Sequence, residues 1–259
     1  MESKIAEKPM HRDDLVIGRN PVIELLRSKR PVENILIQKD IGGSVGRIIA
    51  MAKEAGIPCK EVDKRKLDGM CSDANHQGVI AQIAAAQYST IQDMQAKASA
   101  QNEPLFIVIA DEIEDPHNLG AIIRTAEAAG AHGVIVPKRR SAGLTYGVYK
   151  ASAGAALHLP VARVANIAQT ISELKSMGVW IYCADTGGQA FSRVNYAGAA
   201  ALVIGSEGQG VGRLIKERCD VVVSIPMRGQ STSLNASVAS GIILFEIARQ
   251  RQASAGSDK

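Results

Sequence analysis

Three stretches of the chain gather side chains that could bind or react. The first, DEIEDPHNLGAIIRTAEAAG over 111–130, holds Arg124 beside an apolar stripe of Leu119, Ile122, Ile123 and Ala126. That spacing buries the stripe and lets the guanidinium reach over a neighbouring crevice, although a solvated arginine is the commoner fate. The second, GSEGQGVG over 205–212, has four glycines in eight residues, which let the backbone turn sharply and approach a ligand. It lacks the Gly-Lys-Ser/Thr of a Walker loop, and its third glycine is misplaced for a dinucleotide fingerprint, so phosphate binding is disfavoured. Glu207 among these glycines suits a ligand that is positive or donates hydrogen bonds, and a plain turn would tolerate it too. The third, IPMRGQSTSLNASVASGIILFE over 225–246, sets Ser231, Thr232, Ser233 and Asn235 before a long helix. Helix capping uses one such residue, not four. Asn235-Ala236-Ser237 also matches a glycosylation sequon, a pattern that arises often by chance.

The elements around these stretches show how they could meet. From 105 onward, short and almost wholly apolar runs at 105–110, 133–136, 179–184, 200–204 and 221–225 alternate with helical spacing. Strands buried on both faces of a parallel sheet read this way, and such a sheet gathers the loops at its carboxyl ends around one crevice. Asp115 is held out of helical geometry by Pro116, and Asn118 is placed to cap a helix beginning at Leu119. In the final helix Leu234, Val238, Ile242 and Phe245 form the expected core face. Ile243 and Ile247 form a second apolar face, which suggests a subunit interface.

Residues 1–86 read as a separate small α/β unit. It has an apolar run at 35–37, helical spacing through Val45, Ile48, Ile49 and Ala52, and a strand at 79–83. A linker is expected over 87–103, with one short helix at 91–99, then an α/β domain over 104–252 and a disordered tail over 253–259.

Composition narrows the functions available. With 3% aromatic residues among 259, a surface of many base-stacking rings is excluded, and a formal charge of +4 permits a polyanionic partner without establishing one. Cys59, Cys71, Cys183 and Cys219 stand apart with no metal-ligand spacing, so no metal is expected. The polar start and the lack of a long apolar run point to a cytoplasmic protein without a membrane partner.

Together, NLGAIIRTAEAAG, LVIGSEGQGV and IPMRGQSTSLNASVASGIILFE resemble the three signature motifs of the SpoU/TrmH methyltransferases, in the SPOUT superfamily. Gly18-Arg19-Asn20-Pro21-Val22 and His76-Gln77-Gly78-Val79 resemble the accessory RNA-binding domain, similar to ribosomal protein L30e, of the subgroup that methylates a guanosine in 23S rRNA. The resemblance implies an α/β protein whose C-terminal domain holds a mainly parallel sheet and a deep trefoil knot, preceded by the small L30e-like domain. It implies S-adenosylmethionine at Gly205, Glu207, Gly208, Ile225, Met227, Ser233 and Leu234, a homodimer, and 23S rRNA or a pre-50S particle as partner. Arg124 matches the arginine assigned to activating the ribose hydroxyl, with Asn118, Glu207, Ser233 and Asn235 as orienting groups. A guanidinium is a poor base, so Arg124 is read here as a phosphate and alkoxide donor. Arg19, Lys138, Arg139, Arg140, Lys150 and Arg228 are the expected RNA contacts. The same motifs leave room for a tRNA or antibiotic-resistance methyltransferase, or for a non-catalytic ribosome-assembly factor.

Overall fold

A computed structural model describes residues 15–27, 31–71, 75–83 and 87–256. The chain divides into two compact units, Met1–Ala86 and Gln87–Lys259.

The first unit is built from β1 (Leu15–Ile17), α1 (Arg19–Arg27), β2 (Val32–Gln38), α2 (Val45–Glu54), β3 (Cys59–Val62), α3 (Lys64–Cys71) and β4 (Val79–Ile83). Its sheet runs β1-β4-β2-β3, with β2 and β3 parallel and β4 antiparallel to both β1 and β2. The apolar run Ile35, Leu36 and Ile37 is the buried middle of β2, an inner strand of the sheet. On α2, Val45, Ile48 and Ala52 are buried and Ile49 is exposed, because three residues at this spacing already fill the face turned to the sheet. The exposed side chains of β3 hid it from pattern reading.

The second unit has a six-stranded sheet of order β10-β8-β9-β5-β6-β7, every pair of it parallel. Its strands are β5 (Phe106–Ala110), β6 (Gly133–Pro137), β7 (Val161–Val164), β8 (Trp180–Ala190), β9 (Ala200–Ile204) and β10 (Val221–Ser224). The helices are α4 (Ile91–Ala100), α5 (Pro116–Ala128), α6 (Tyr146–Ala151), α7 (Ile167–Ser176), α8 (Arg213–Arg218) and α9 (Ala236–Gly256). Every residue of β5 and β9 is buried, as strands covered on both faces require. The four-residue edge strand β7 buries only Val161 and Ala162, too little pattern to read in advance. No helix among the described residues is long and apolar enough to cross a membrane.

Four expectations change. The helix expected at 91–99 is present as α4, but the segment 87–103 belongs to the second unit and is no linker. A capping box between Thr90 and Asp93 starts α4, and Met94 and Ala98 are buried in the core of the second unit. Its first bridge, Ser89 to Ala162, ties it to the sheet edge. The helix at 116 begins with Asp115 as its cap, the carboxylate accepting from His117 N at 2.9 Å, so Asn118 is not the cap. The faces of α9 are exchanged: Ile243, Leu244 and Ile247 are buried, whereas Val238 and Phe245 are half exposed. The buried face packs on α5 and β9, and their surfaces, not the helix's own periodicity, decide which stripe turns inward. Finally, α9 continues to Gly256 through most of the expected tail, and 257–259 lie outside the described residues.

Met94 shows what α4 contributes. Gly133 leaves the space it fills, since a Cβ there would lie 2.4 Å from the Met94 sulfur. Met94→Ala is therefore expected to cost about 2–5 kcal/mol in urea unfolding. A residue in an unpacked linker would shift stability by less than about 0.5 kcal/mol.

Candidate functional site

The crevice opens where β8, β9 and β10 end. Pairing between β8 and β10 steps from Cys183–Val222 directly to Gln189–Val223, so residues 184–188 are passed over by the β10 ladder. Ala184, Asp185 and Thr186 of this bulge line a cavity of about 390 Å³. Ser224 Oγ donates to Gly188 O at 2.8 Å and fastens the bulge to β10.

The loop after β9 forms a second wall. Gly210 N donates to Ser206 O at 2.9 Å, folding the loop back over Gly205. A Cβ at Gly205 would stand 2.0 Å from the Gly210 carbonyl carbon, so only glycine fits there. The segment after β10 supplies a third wall, with Ile225, Met227, Thr232, Ser233 and Leu234, and α9 adds Ala236, Ala239 and Ile243. All seven residues expected to hold the cofactor, Gly205, Glu207, Gly208, Ile225, Met227, Ser233 and Leu234, line this one cavity.

Hydrogen bonds join the three motifs at its rim. Asn118 Nδ2 donates to Glu207 Oε1 at 2.8 Å, and Asn235 Nδ2 donates to Asn118 Oδ1 at 2.9 Å and also to Glu207 Oε1. Asn235 caps α9 as well, its Oδ1 accepting from Ser237 N at 2.9 Å and Val238 N at 3.2 Å. Because Asp115 has taken over capping of α5, the Asn118 amide is free for this bridge. Residues 118, 207 and 235 thus form one connected polar group.

The charges are one-sided. Among the described residues, Asp185 and Glu207 line the cavity, and no lysine, arginine or histidine does. Lys216 on α8 partly balances Asp185 from behind, 2.6 Å from its carboxylate, which also accepts from Thr186 N at 2.6 Å. A cavity whose charged lining is two carboxylates disfavours phosphates and suits a cationic ligand. Among the described residues no cluster of His, Cys, Asp and Glu could hold a metal ion.

Arg124 and Asn118 do not line the cavity. Arg124 is exposed on α5 and forms no hydrogen bond or ion pair with a described residue, while Asn118 reaches the rim through Glu207. Of the expected RNA contacts, Lys138, Arg139 and Arg140 follow β6, at the same end of the sheet as the cavity. Arg140 pairs with Glu112 at 2.8 Å, and Lys138 lends its carbonyl to Arg163, whose guanidinium also lies over the Tyr88 ring. Lys150 is exposed in the last turn of α6 and Arg228 on the loop after β10. Arg19 lies in the first unit.

Three residues escaped the sequence reading. Asp185 and Thr186 follow the apolar run at 179–184, and the rule that ligands sit beyond the carboxyl ends of strands should have marked them. Asp111, at the end of β5, is buried and accepts from Gly212 N at 3.2 Å, pinning the far end of the glycine loop. Burial pushes its carboxyl above the ordinary carboxylate range, against the pull of the Gly212 amide and Arg140.

Comparison with known proteins gives the site a context. The SpoU rRNA Methylase family matches residues 105–245, and residues 15–89 match the RNA 2'-O ribose methyltransferase substrate binding domain. Bacillus subtilis (strain 168) has a relative named "Putative TrmH family tRNA/rRNA methyltransferase YacO", 48% identical over 240 residues, or 92% of this chain and 96% of the relative. Among solved structures, an AdoMet-bound rRNA methyltransferase from Sinorhizobium meliloti is 25% identical with a TM-score of 0.65, over 91% of this chain and 86% of the other. The TrmH/SpoU tRNA modifying enzyme of A. aeolicus is 30% identical with a TM-score of 0.54, over 64% and 88%.

Proposed function

Because the chain belongs to the SpoU rRNA methylase family, we propose that it methylates the 2′-hydroxyl of a guanosine ribose in 23S rRNA, acting as a cytoplasmic homodimer. It is an S-adenosylmethionine-dependent RNA ribose methyltransferase with a substrate-binding domain at its N-terminus. The observation that carries the reading is the cavity lined by two carboxylates and no base, whose rim joins Asn118, Glu207 and Asn235.

S-adenosylmethionine suits that cavity by charge and by size. Its volume lies within the ~300–1,000 Å³ usual for small-molecule sites. Gly205, Ile225 and Leu234 line the wall against which a nucleoside would lie, and Asp185 and Glu207 favour a ligand bearing positive charge. When bound, the cofactor supplies an electrophilic methyl group on a sulfonium. The protein's task is then to place a ribose hydroxyl in line and manage its proton. Glu207 is held at the rim by two amides, and Ser233 lines the same cavity. Arg124 binds the phosphate next to the target ribose and stabilises the forming alkoxide as a donor, while phosphate or water receives the proton.

Support for the dimer comes from α9, where Val238, Ile242 and Phe245 recur at helical spacing on the outward face, two of them half exposed. In this reading the loops after β9 and β10 close the trefoil knot around the cofactor. Support for ribosomal RNA is the SpoU rRNA methylase match together with the rRNA methyltransferase among similar structures. A tRNA substrate is the second reading, because the B. subtilis relative is named for both. Incubating the protein with methyl-labelled cofactor and separate pools of 23S rRNA, 16S rRNA and tRNA decides between them. Label confined to a ribose of 23S rRNA is expected, and label in tRNA alone would replace this assignment with the second.

A further inference from the structure

The loop after β6, residues 138–145, begins with three cations and is fastened at every second residue. Lys138 N donates to Val164 O at 2.8 Å, Arg140 pairs with Glu112 at 2.8 Å, Ala142 N donates to Ile113 O at 2.8 Å and Leu144 N donates to the Tyr88 hydroxyl at 3.0 Å. Arg140 and Glu112 both hold left-handed backbone, with φ of 53° and 55°. Residues other than glycine rarely adopt it, and it persists only where the surroundings over-determine the conformation. Arg140 is spent on its carboxylate partner. Lys138 and Arg139 are exposed, and their side chains bond to no described residue.

Two side chains from outside the loop close around it. Arg163, on the edge strand β7, donates to Lys138 O at 2.9 Å and lays its guanidinium over the Tyr88 ring, 5.4 Å from the centroid. Tyr88 in turn holds the other end through Leu144, and Gly143 packs so closely that a Cβ there would stand 3.4 Å from the hydroxyl. One stacked pair thus grips both ends of the basic loop. Tyr88 is itself fixed by the backbone that follows it. Ser89 N donates to Val161 O at 2.8 Å, a parallel bridge joins Ser89 to Ala162, and the capping box of α4 begins at Thr90. Residue 88 falls within the stretch that matches the substrate-binding domain, 15–89, yet it is built into the second unit.

We propose that Tyr88 is a positioning residue for RNA on the methyltransferase unit: acting through Leu144 and Arg163, it holds the loop so that Lys138 and Arg139 meet the RNA backbone in a set geometry. The proposal rests on the reading of those two cations as RNA contacts. A loose loop would have to be ordered at the moment of binding, and that lost freedom would be subtracted from affinity. The clamp removes this cost without touching RNA. Its loss therefore raises KM for RNA, while kcat and the number of phosphate contacts stay as they were.

The test uses the full chain with purified 23S rRNA, replaced by tRNA if tRNA alone accepts label. It reads methyl transfer, filter binding over a salt series and cofactor affinity by calorimetry. Tyr88→Phe keeps the ring beneath Arg163 and removes the hydroxyl, whereas Arg163→Lys keeps the charge and removes the planar fork. Each is expected to raise KM for RNA about fivefold, the worth of one hydrogen bond, with kcat, salt slope and cofactor affinity unchanged. Lys138→Gln combined with Arg139→Gln is expected to lower the slope of log affinity on log salt by about 0.7–0.9 per cation. Adding Tyr88→Phe to that pair should cost nothing further, because the groups it positions are gone. A residue acting only on the stability of the fold would cost the same in both backgrounds. Equal weakening by Tyr88→Phe with and without the two cations, or an unaltered KM in Tyr88→Phe, would overturn the clamp and leave the methyltransferase reading standing. An unchanged salt slope in the paired variant would remove the contacts that the clamp serves, and the proposal with them. No cofactor binding by the unsubstituted chain would overturn the methyltransferase reading and this one together.

Discussion

Arg124→Ala is expected to lower kcat for methyl transfer about 10²–10³-fold, the usual loss when a donor to developing negative charge is removed. Affinity for S-adenosylmethionine should not change. The side chain is exposed, does not line the cavity and bonds to no described residue, so its removal costs neither fold nor cofactor site. Its stability is set instead by the buried stripe beside it, Leu119, Ile122, Ile123 and Ala126. Arg124→Lys separates two forms of the account. A guanidinium that grips phosphate and ribose oxygen together is not replaced by an ammonium, so the lysine variant should recover little activity. Full activity in Arg124→Lys would reduce the role to a point charge.

Gly205→Val is expected to remove cofactor binding altogether, seen as a loss of the calorimetric signal and of methyl transfer together. A Cβ at this position would overlap the Gly210–Val211 peptide, with both partners backbone atoms that cannot rotate aside. The glycine loop must then lift, opening the wall that Ser206, Glu207 and Gly208 form. Far-ultraviolet circular dichroism should stay near that of the unsubstituted chain, because the clash lies in a loop beyond β9 and the strand itself remains fully buried.

Much of this was legible in the chain because apolar runs without alternation can only be strands covered on both faces. Residues 200–204 were read at their observed bounds for that reason, and the crevice followed from the sheet. What was not legible depends on partners distant in sequence. Met94 looks like any residue of a polar stretch until Gly133 provides its cavity. Val238 and Ile247 are equally apolar, and only the position of α5 and β9 decides which turns inward. The same holds within the site. Asn118 and Asn235 both sit where a cap could be, yet Asp115 caps α5 while Asn235 caps α9 and still reaches Asn118. Asp185 and Thr186 stand directly after the apolar run at 179–184 and were legible by position, whereas the continuation of β8 to Ala190 past a five-residue bulge was not.

The most direct check is a crystal structure of the protein grown with S-adenosylmethionine. The account requires the nucleoside between Gly205, Ile225 and Leu234, the sulfonium on the side of Glu207 and Asp185, and the Arg124 guanidinium of one protomer or its partner turned toward the methyl group. Density for the nucleoside elsewhere on the chain, or a bound cofactor with both copies of Arg124 directed away from it, would contradict the account.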